Sequence, residues 1–151
     1  MKKILFPTDF SDTANNAFVY ALNLADSIGA EIYLLHAYEM PVLSTTSSGQ
    51  PELLQQVYTS IELNHFEQYK AEIPKLRKIA EDIGKHHIQL TCLFEEGLML
   101  SILKKIIKQE TIDFIVMGTN GNNSLEKKLL GSNTVHVIEN IDIPILSIPK
   151  G

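Results

Sequence analysis

The sequence has almost none of the features that are typical of secreted proteins, membrane proteins or proteins stabilised by a bound metal. Cys92 is the only cysteine in 151 residues, so the chain can form no internal disulfide. Its surroundings, an apolar run, predict a small buried hydrophobic side chain. No apolar stretch approaches the roughly 20 residues of a membrane-spanning helix. The segment before Pro7 holds too short an apolar run for a signal peptide, so we expect a cytoplasmic protein that does not associate with membranes.

Metal sites and nucleic-acid binding are also disfavoured. The five histidines include no pair at the i, i+4 spacing of a helical zinc motif, and one cysteine supplies too few ligands, so no metal site is predicted. Lys and Arg number 13 against 18 Asp and Glu, a net charge of −5. Binding a nucleic-acid backbone requires clustered positive charge, which this balance does not offer. A small anion held by backbone N–H groups remains compatible with it.

What the sequence does contain is an alternation of short apolar runs and helical patterns. Continuous apolar runs are typical of strands in a parallel sheet that is covered on both faces. The five runs are Ile4–Phe6, Ile32–Ala37, Ile88–Phe94, Phe114–Met117 and Ile143–Ile148. The order βαβαβαβαβ predicts a doubly wound α/β fold with a parallel sheet. At 151 residues, the chain is expected to form a single domain.

Four helical patterns separate these runs. They cover residues 14–28, 51–83, 99–107 and a short stretch from about Ser132. Gly29 is expected to end the first helix, and Pro74 to kink or divide the second. The segment Met40–Gln50 is polar, rich in Ser and Thr, and interrupted by proline and glycine, which predicts a long flexible surface loop.

Glycines mark the end of the fourth apolar run and the start of the last helix. Gly118 and Gly121 follow the run, and Gly131-Ser132 opens the helix. Glycine there lets the backbone approach a ligand, and a helix N-terminus favours phosphate. The same residues could simply turn the chain and cap a helix, and their spacing alone does not decide between these alternatives. Neither the Walker P-loop nor the Rossmann glycine pattern occurs in the chain.

The spacing of these glycines, Gly-2x-Gly-9x-Gly-Ser, resembles the nucleotide motif of the universal stress proteins. Three further segments resemble that family's first, fourth and last strands, namely Lys3–Ser11, Asp113–Thr119 and Ile143–Ile148. The resemblance covers nearly the whole chain, and Met40–Gln50 is its least typical part. It implies a five-stranded sheet of order 3-2-1-4-5 with helices on both faces, often assembled as a dimer.

The resemblance also implies an adenine-nucleotide site. Members with the complete glycine motif tend to bind ATP, whose phosphates can carry Mg²⁺. Asp9 would lie by the ribose and adenine, with the backbone of Ala37 against adenine. The other residues carried over are Pro7 and Thr8 in the turn after strand one, Met117 and Gly118 at the end of strand four, and Gly121, Gly131, Ser132 and Asn133 around the ribose and phosphates. Asp9 could instead serve only the turn, while Ser11 or Asp12 caps the first helix.

Three functions follow as alternatives. The first is a stress-response module that binds ATP and acts through protein partners not identified by the sequence. The second is a slow ATP hydrolase or nucleotidyl transferase, although no catalytic residue is evident. The third is an interaction domain that no longer binds nucleotide. The apolar edge strand Ile143–Ile148 predicts a homodimer in every case.

Overall fold

The computed structural model describes residues 1–41, 51–119 and 141–149. The elements in chain order are β1 (Lys2–Pro7), α1 (Asp12–Ile28), β2 (Ala30–Tyr38), α2 (Pro51–Asp82), β3 (Leu90–Glu96), α3 (Met99–Glu110), β4 (Phe114–Thr119) and β5 (Ile145–Pro149). All strand pairings are parallel, in the order β3-β2-β1-β4-β5, which confirms the predicted sheet. The predicted fourth helix and the segment 42–50 lie outside the described residues.

Two apolar cores cover the two faces of the sheet. One core packs α1 and α2 against Ile4, Phe6 and Ile32, with Phe18 and Leu76 among the fully buried side chains. The other packs α3 against the opposite face, through residues that include Leu5, Leu35, Leu103 and Ile115. Because successive residues of β1 point to opposite faces, the central strand contributes to both cores.

The helix α1 begins and ends as its sequence predicts. The Ser11 hydroxyl accepts a hydrogen bond from the Ala14 N–H, which makes Ser11 rather than Asp12 the N-cap. Gly29 follows the helix in the left-handed conformation, and its N–H donates to the Ala25 carbonyl. Both ends of α1 are therefore fixed by local side-chain and backbone chemistry.

Of the two effects expected of Pro74, division of the helix α2 does not occur. The 32 residues from Pro51 to Asp82 form one helix. Pro74 lies on its exposed side, where the carbonyl that loses its N–H partner can bond to water. Within the described ranges, no helix is both long and apolar enough to cross a bilayer.

Two strands start later than their apolar runs suggest. Ile88 donates its N–H to the Lys85 carbonyl in the turn after α2, so β3 starts at Leu90. The carbonyl of Pro144 accepts the Ile115 N–H, and β5 begins at the next residue. Because β3 is an edge strand, Cys92 is only half-buried, against the expectation of full burial.

Candidate functional site

The strands β1 and β4 part at their carboxyl ends. Within the described residues they pair only at Ile4 with Phe114 and at Leu5 with Ile115. Beyond that point β1 continues alongside β2 as far as Pro7, while β4 continues alongside β5 to its end. The chain winds away from this place in opposite directions, and ligands of open α/β sheets bind at such a switch point.

The turn from β1 into α1 is held by its own side chains. The Thr8 N–H donates to the Leu35 carbonyl at 2.9 Å, and the Thr8 hydroxyl accepts the Phe10 N–H at 3.0 Å. Asp9 Oδ1 accepts the Ser11 N–H at 2.9 Å. Phe10 has φ +63°, a left-handed conformation that is uncommon for a residue with a side chain. These bonds fix the turn at the mouth of the crevice without any ligand.

These contacts settle one part of the Asp9 question. The carboxylate takes part in the turn, as the simpler interpretation of the sequence has it. Asp9 is half-buried rather than enclosed, so the same group lies where the crevice opens. Its assignment to the ribose stays a prediction.

Gly118 lies inside β4 rather than in a turn. It pairs with Ile148, and a Cβ atom added to it would stand 3.0 Å from the Thr13 carbonyl oxygen and 3.2 Å from the Ala17 Cβ. The interpretation of Gly118 as a turn residue is therefore wrong. The missing side chain lets the end of β4 lie directly against the first turns of α1, which brings the N-terminus of that helix to the crevice.

The remaining predicted residues fall into two groups. Met117 is 3% exposed in the core beneath α3, so only its backbone can face a ligand. Ala37 is half-buried on the same face of the sheet, two residues beyond the Leu35 that binds Thr8. The residues that would surround the phosphates, Gly121, Gly131, Ser132 and Asn133, lie outside the described residues.

The chemistry available at the crevice is that of donors and acceptors. The N-terminus of α1 carries a partial positive charge, which favours an anion. Asp9 adds a carboxylate that can accept hydroxyl hydrogen bonds. In the part of the chain that the structure describes, no group of three His, Cys, Asp or Glu residues could hold a metal ion.

Sequence reasoning missed an aromatic cluster beside this site. The cluster consists of Phe10, His36, Tyr38, His65, Tyr69 and Phe94. His36 is 9% exposed, and its Nδ1 donates to the Thr8 carbonyl at 3.2 Å. The rings of Phe10 and His36 are 5.0 Å apart, and those of Tyr38 and His65 are stacked at 4.5 Å. The cluster therefore packs against the turn between β1 and α1.

Two patterns in the sequence could have revealed this cluster. His36 and Tyr38 are two residues apart in β2 and so share a face of the sheet. His65 and Tyr69 are four residues apart in α2 and share a face of that helix. Only the tertiary structure shows that the two faces meet.

Burial keeps the cluster's phenols uncharged. It raises the pKa of Tyr38, and the nearby carboxylates of Glu62 and Glu96 raise it further. It also raises the pKa of Tyr69, with a smaller contribution from the Cys92 thiol. Both phenols therefore stay protonated at neutral pH, as an unperturbed phenol also does.

Comparison with known proteins gives a consistent set of similarities. A sequence model described as the universal stress protein family matches residues 1–149. Universal stress protein MJ0531 of Methanocaldococcus jannaschii is 32% identical over 151 residues, which cover 99% of this chain and 82% of that protein. The solved structure of protein MJ0577 from the same organism is similar with a TM-score of 0.71 and 27% identity, covering 99% of this chain and 96% of that one.

A further solved universal stress protein was determined in complex with cAMP. It has a TM-score of 0.64 and 16% identity, and the match covers 99% of this chain and 98% of that chain. At that identity the similarity is one of fold.

Proposed function

The chain belongs to the universal stress protein family, and on that premise we propose that it binds an adenine nucleotide where β1 and β4 part. ATP is the nucleotide assigned to it, because the sequence carries the full spacing Gly118-2x-Gly121-9x-Gly131-Ser132. Its role in the cell would be to respond to stress through protein partners, with nucleotide occupancy as the signal.

The observation that carries this proposal is the parting of the two central strands. Their pairing ends at Leu5 and Ile115, and the crevice beyond is bounded by a turn already fixed by Thr8 and Asp9. Because Gly118 has no side chain, the N-terminus of α1 can lie at the same crevice. A crevice with a preset wall, a carboxylate and a helix N-terminus suits a ribose and a phosphate.

An adenine nucleotide is favoured over other anions by the family. The solved universal stress protein in complex with cAMP shares the fold and supports this choice. In our assignment Asp9 accepts a ribose hydroxyl, the Ala37 backbone meets adenine, and the glycine segment with Ser132 and Asn133 surrounds the phosphates. Mg²⁺ would accompany the phosphates.

Turnover is not part of this proposal. Phosphoryl transfer requires charge neutralisation and a positioned nucleophile. Asp9 lies in the turn that bounds the crevice, and one of its oxygens holds that turn. We therefore expect ATP hydrolysis to be very slow, far below the roughly 10 s⁻¹ that is typical of enzymes.

The proposal is tested on the protein as purified. Mass spectrometry of small molecules released on denaturation should detect an adenine nucleotide, and calorimetric titration of the emptied protein should detect ATP binding. Gly131→Val should abolish ATP binding while thermal stability is kept, whereas Ser132→Ala should weaken it several-fold. Gly118 is unsuited to this test because a side chain there strikes α1. No released nucleotide and no titration signal would favour the pure interaction domain.

A further inference from the structure

Successive residues of β2 direct their backbone groups to opposite neighbouring strands. The odd-numbered residues face β1, since the Leu35 carbonyl accepts the Thr8 N–H at 2.9 Å. The even-numbered residues face the other way, towards β3, since the Tyr38 carbonyl accepts the Gly97 N–H at 2.9 Å. The N–H and the carbonyl of Ala37 therefore both point to the side of β1. β1 has left the sheet at that height, because its pairing with β2 ends at Leu35.

A regular parallel ladder would continue with two more hydrogen bonds at this place. The Ala37 N–H would donate to the Thr8 carbonyl, and the Ala37 carbonyl would accept the Phe10 N–H. Neither bond is formed within the part of the chain that the structure describes. The ladder thus stops short, although both partner groups belong to the turn that directly follows β1.

Side chains take the place of Ala37 at both of these groups. The His36 Nδ1 donates to the Thr8 carbonyl at 3.2 Å, and the Thr8 hydroxyl accepts the Phe10 N–H at 3.0 Å. His36 and Thr8 are 9% and 1% exposed, so water competes little for either bond. The Phe10 ring packs on that of His36 at 5.0 Å, which helps to hold the imidazole in position. The turn is thereby satisfied without the Ala37 backbone.

We propose that His36 is a positioning residue that sets the base specificity of the nucleotide site. This inference rests on the proposed function, in which the Ala37 backbone meets adenine. Because His36 donates to the Thr8 carbonyl, the Ala37 N–H stays available to a ligand, and the Thr8 hydroxyl has the same effect on the Ala37 carbonyl. The half-buried end of β2 thus presents a backbone donor beside a backbone acceptor.

Such a pair distinguishes purine bases by the order of their own donors and acceptors. Adenine has an acceptor at its ring nitrogen N1, next to a donor, the exocyclic amino group. Hypoxanthine, the base of inosine, has a donor at N1, next to an acceptor, the exocyclic oxygen. In the orientation that matches adenine to Ala37, hypoxanthine would place donor against donor and acceptor against acceptor. Polar groups that lose water without gaining a partner reduce affinity.

The test compares ATP with inosine triphosphate by calorimetric titration of the full chain. The wild type should bind ATP at least about ten-fold more tightly. His36→Leu releases the Thr8 carbonyl to accept the Ala37 N–H, so it should weaken ATP binding by about five-fold or more and reduce the preference for ATP below about three-fold. His36→Asn resembles leucine in shape but keeps an N–H donor near the position of Nδ1, so it should recover most of both losses.

Phe94→Leu is the matched control. Phe94 belongs to the same aromatic cluster, and its ring centre lies 6.1 Å from that of His36. The change removes packing from the cluster but no hydrogen bond from the turn. It should therefore lower the melting temperature and leave the preference for ATP unchanged. An equal loss of preference in Phe94→Leu and His36→Leu would show that His36 acts through packing alone and would overturn the proposal.

A measurement on the wild type covers the case in which a His36 variant does not fold. Nitrogen-correlated NMR spectra of isotope-labelled histidine show which ring nitrogen carries the proton, and the bond to Thr8 requires it on Nδ1 in the nucleotide-free protein. An Nδ1 without a proton would overturn the proposal. Equal binding of the two triphosphates by the wild type would overturn it while leaving the proposed function in place. The absence of any nucleotide binding would overturn both.

Discussion

At the residue scale, the Asp9 carboxylate has one observed role, in the turn, and one proposed role, at the ribose. Its Oδ1 atom accepts the Ser11 N–H, which sets the entry into α1, and the proposed nucleotide needs the same carboxylate for a ribose hydroxyl. A carboxylate has lone pairs enough for both partners. The two roles differ in what they require, because the turn needs only an oxygen, whereas a strong bond to a hydroxyl needs the negative charge.

The pair Asp9→Asn and Asp9→Ala separates these roles. Asp9→Asn keeps an oxygen for the turn and should leave the free energy of unfolding nearly unchanged, while Asp9→Ala should lower it by about 1 kcal/mol. Both should weaken adenosine and ATP several-fold and to a similar extent. Urea denaturation and calorimetric titration measure the two effects. Wild-type affinity in Asp9→Asn would remove the carboxylate from the ribose.

A second prediction at this scale concerns Gly118. A Cβ atom there would approach the Thr13 carbonyl to 3.0 Å, and a backbone oxygen yields little. Gly118→Ala should therefore lower the free energy of unfolding by about 1–3 kcal/mol through overpacking. Adding Ala17→Gly removes a methyl group 3.2 Å away and should recover part of the loss. Strictly additive effects in denaturation of the double variant would count against a steric cause.

At the scale of elements, the far end of α1 is tied to the segment that follows α2. Asp26, in the last turns of α1, bonds to the Lys85 ammonium and accepts from His87 Nε2 at 2.8 Å. These contacts lower the pKa of Asp26, with the Lys85 hydrogen bond as the largest cause and that of His87 next. They join two elements that are distant in sequence, although they do so in contact with solvent.

The interaction of Asp26 with Lys85 and His87 has a defined pH dependence. A carboxyl whose pKa is lower in the folded state stabilises the fold above its unfolded pKa of about 3.9 and loses that effect as pH falls through the folded value. Asp26→Asn should lower the melting temperature slightly at pH 7, and salt should reduce the difference. Below the folded pKa, wild type and variant should melt together in calorimetry. A difference that persisted there would point to a cause other than charge.

Across the whole molecule, the sequence was most informative where structure is local or repetitive. The apolar runs predicted all five strands, because a strand covered on both faces must be apolar throughout. The cap residues Ser11 and Gly29 act within one turn of helix, so they too could be recognised. The first residues of β3 and β5 could not be predicted in this way, because they depend on hydrogen bonds to the Lys85 and Pro144 carbonyls.

The candidate site was predictable in its position but not in its construction. The turn of Thr8 and Asp9 follows directly from the end of a strand, and the sequence placed it there. The close approach of Gly118 to Thr13 joins residues about a hundred positions apart, and no pattern within either segment indicates it. The contact of His36 with His65 likewise depends on how α2 lies across β2.

Assembly is also a property of the whole molecule. β5 is the last strand of the sheet, and Leu146 on it is 37% exposed, so its outer edge can pair with that of a second copy. We predict a two-fold dimer through β5 and weaker dimerisation in Leu146→Lys. Leu98→Lys, a change at a more exposed leucine near the opposite edge, should leave it intact. Sedimentation at tens of micromolar decides this, and a monomeric wild type would contradict the prediction.

The central position of β1 has a consequence for the newborn chain. Two hydrogen bonds join Lys3 and Asp113, which are 110 positions apart in the sequence. The Lys3 N–H donates to the Asp113 carboxylate, and the Asp113 N–H donates to the Lys3 carbonyl. A ribosome adding roughly 5–20 residues per second needs about 5–20 s to travel that distance. For that interval the strand that becomes the middle of the sheet has one bare edge, with Ile4, Leu5 and Phe6 awaiting their partners. The nascent chain therefore keeps this apolar edge unpaired until β4 has been made, and during that interval β1 is a place where aggregation can begin.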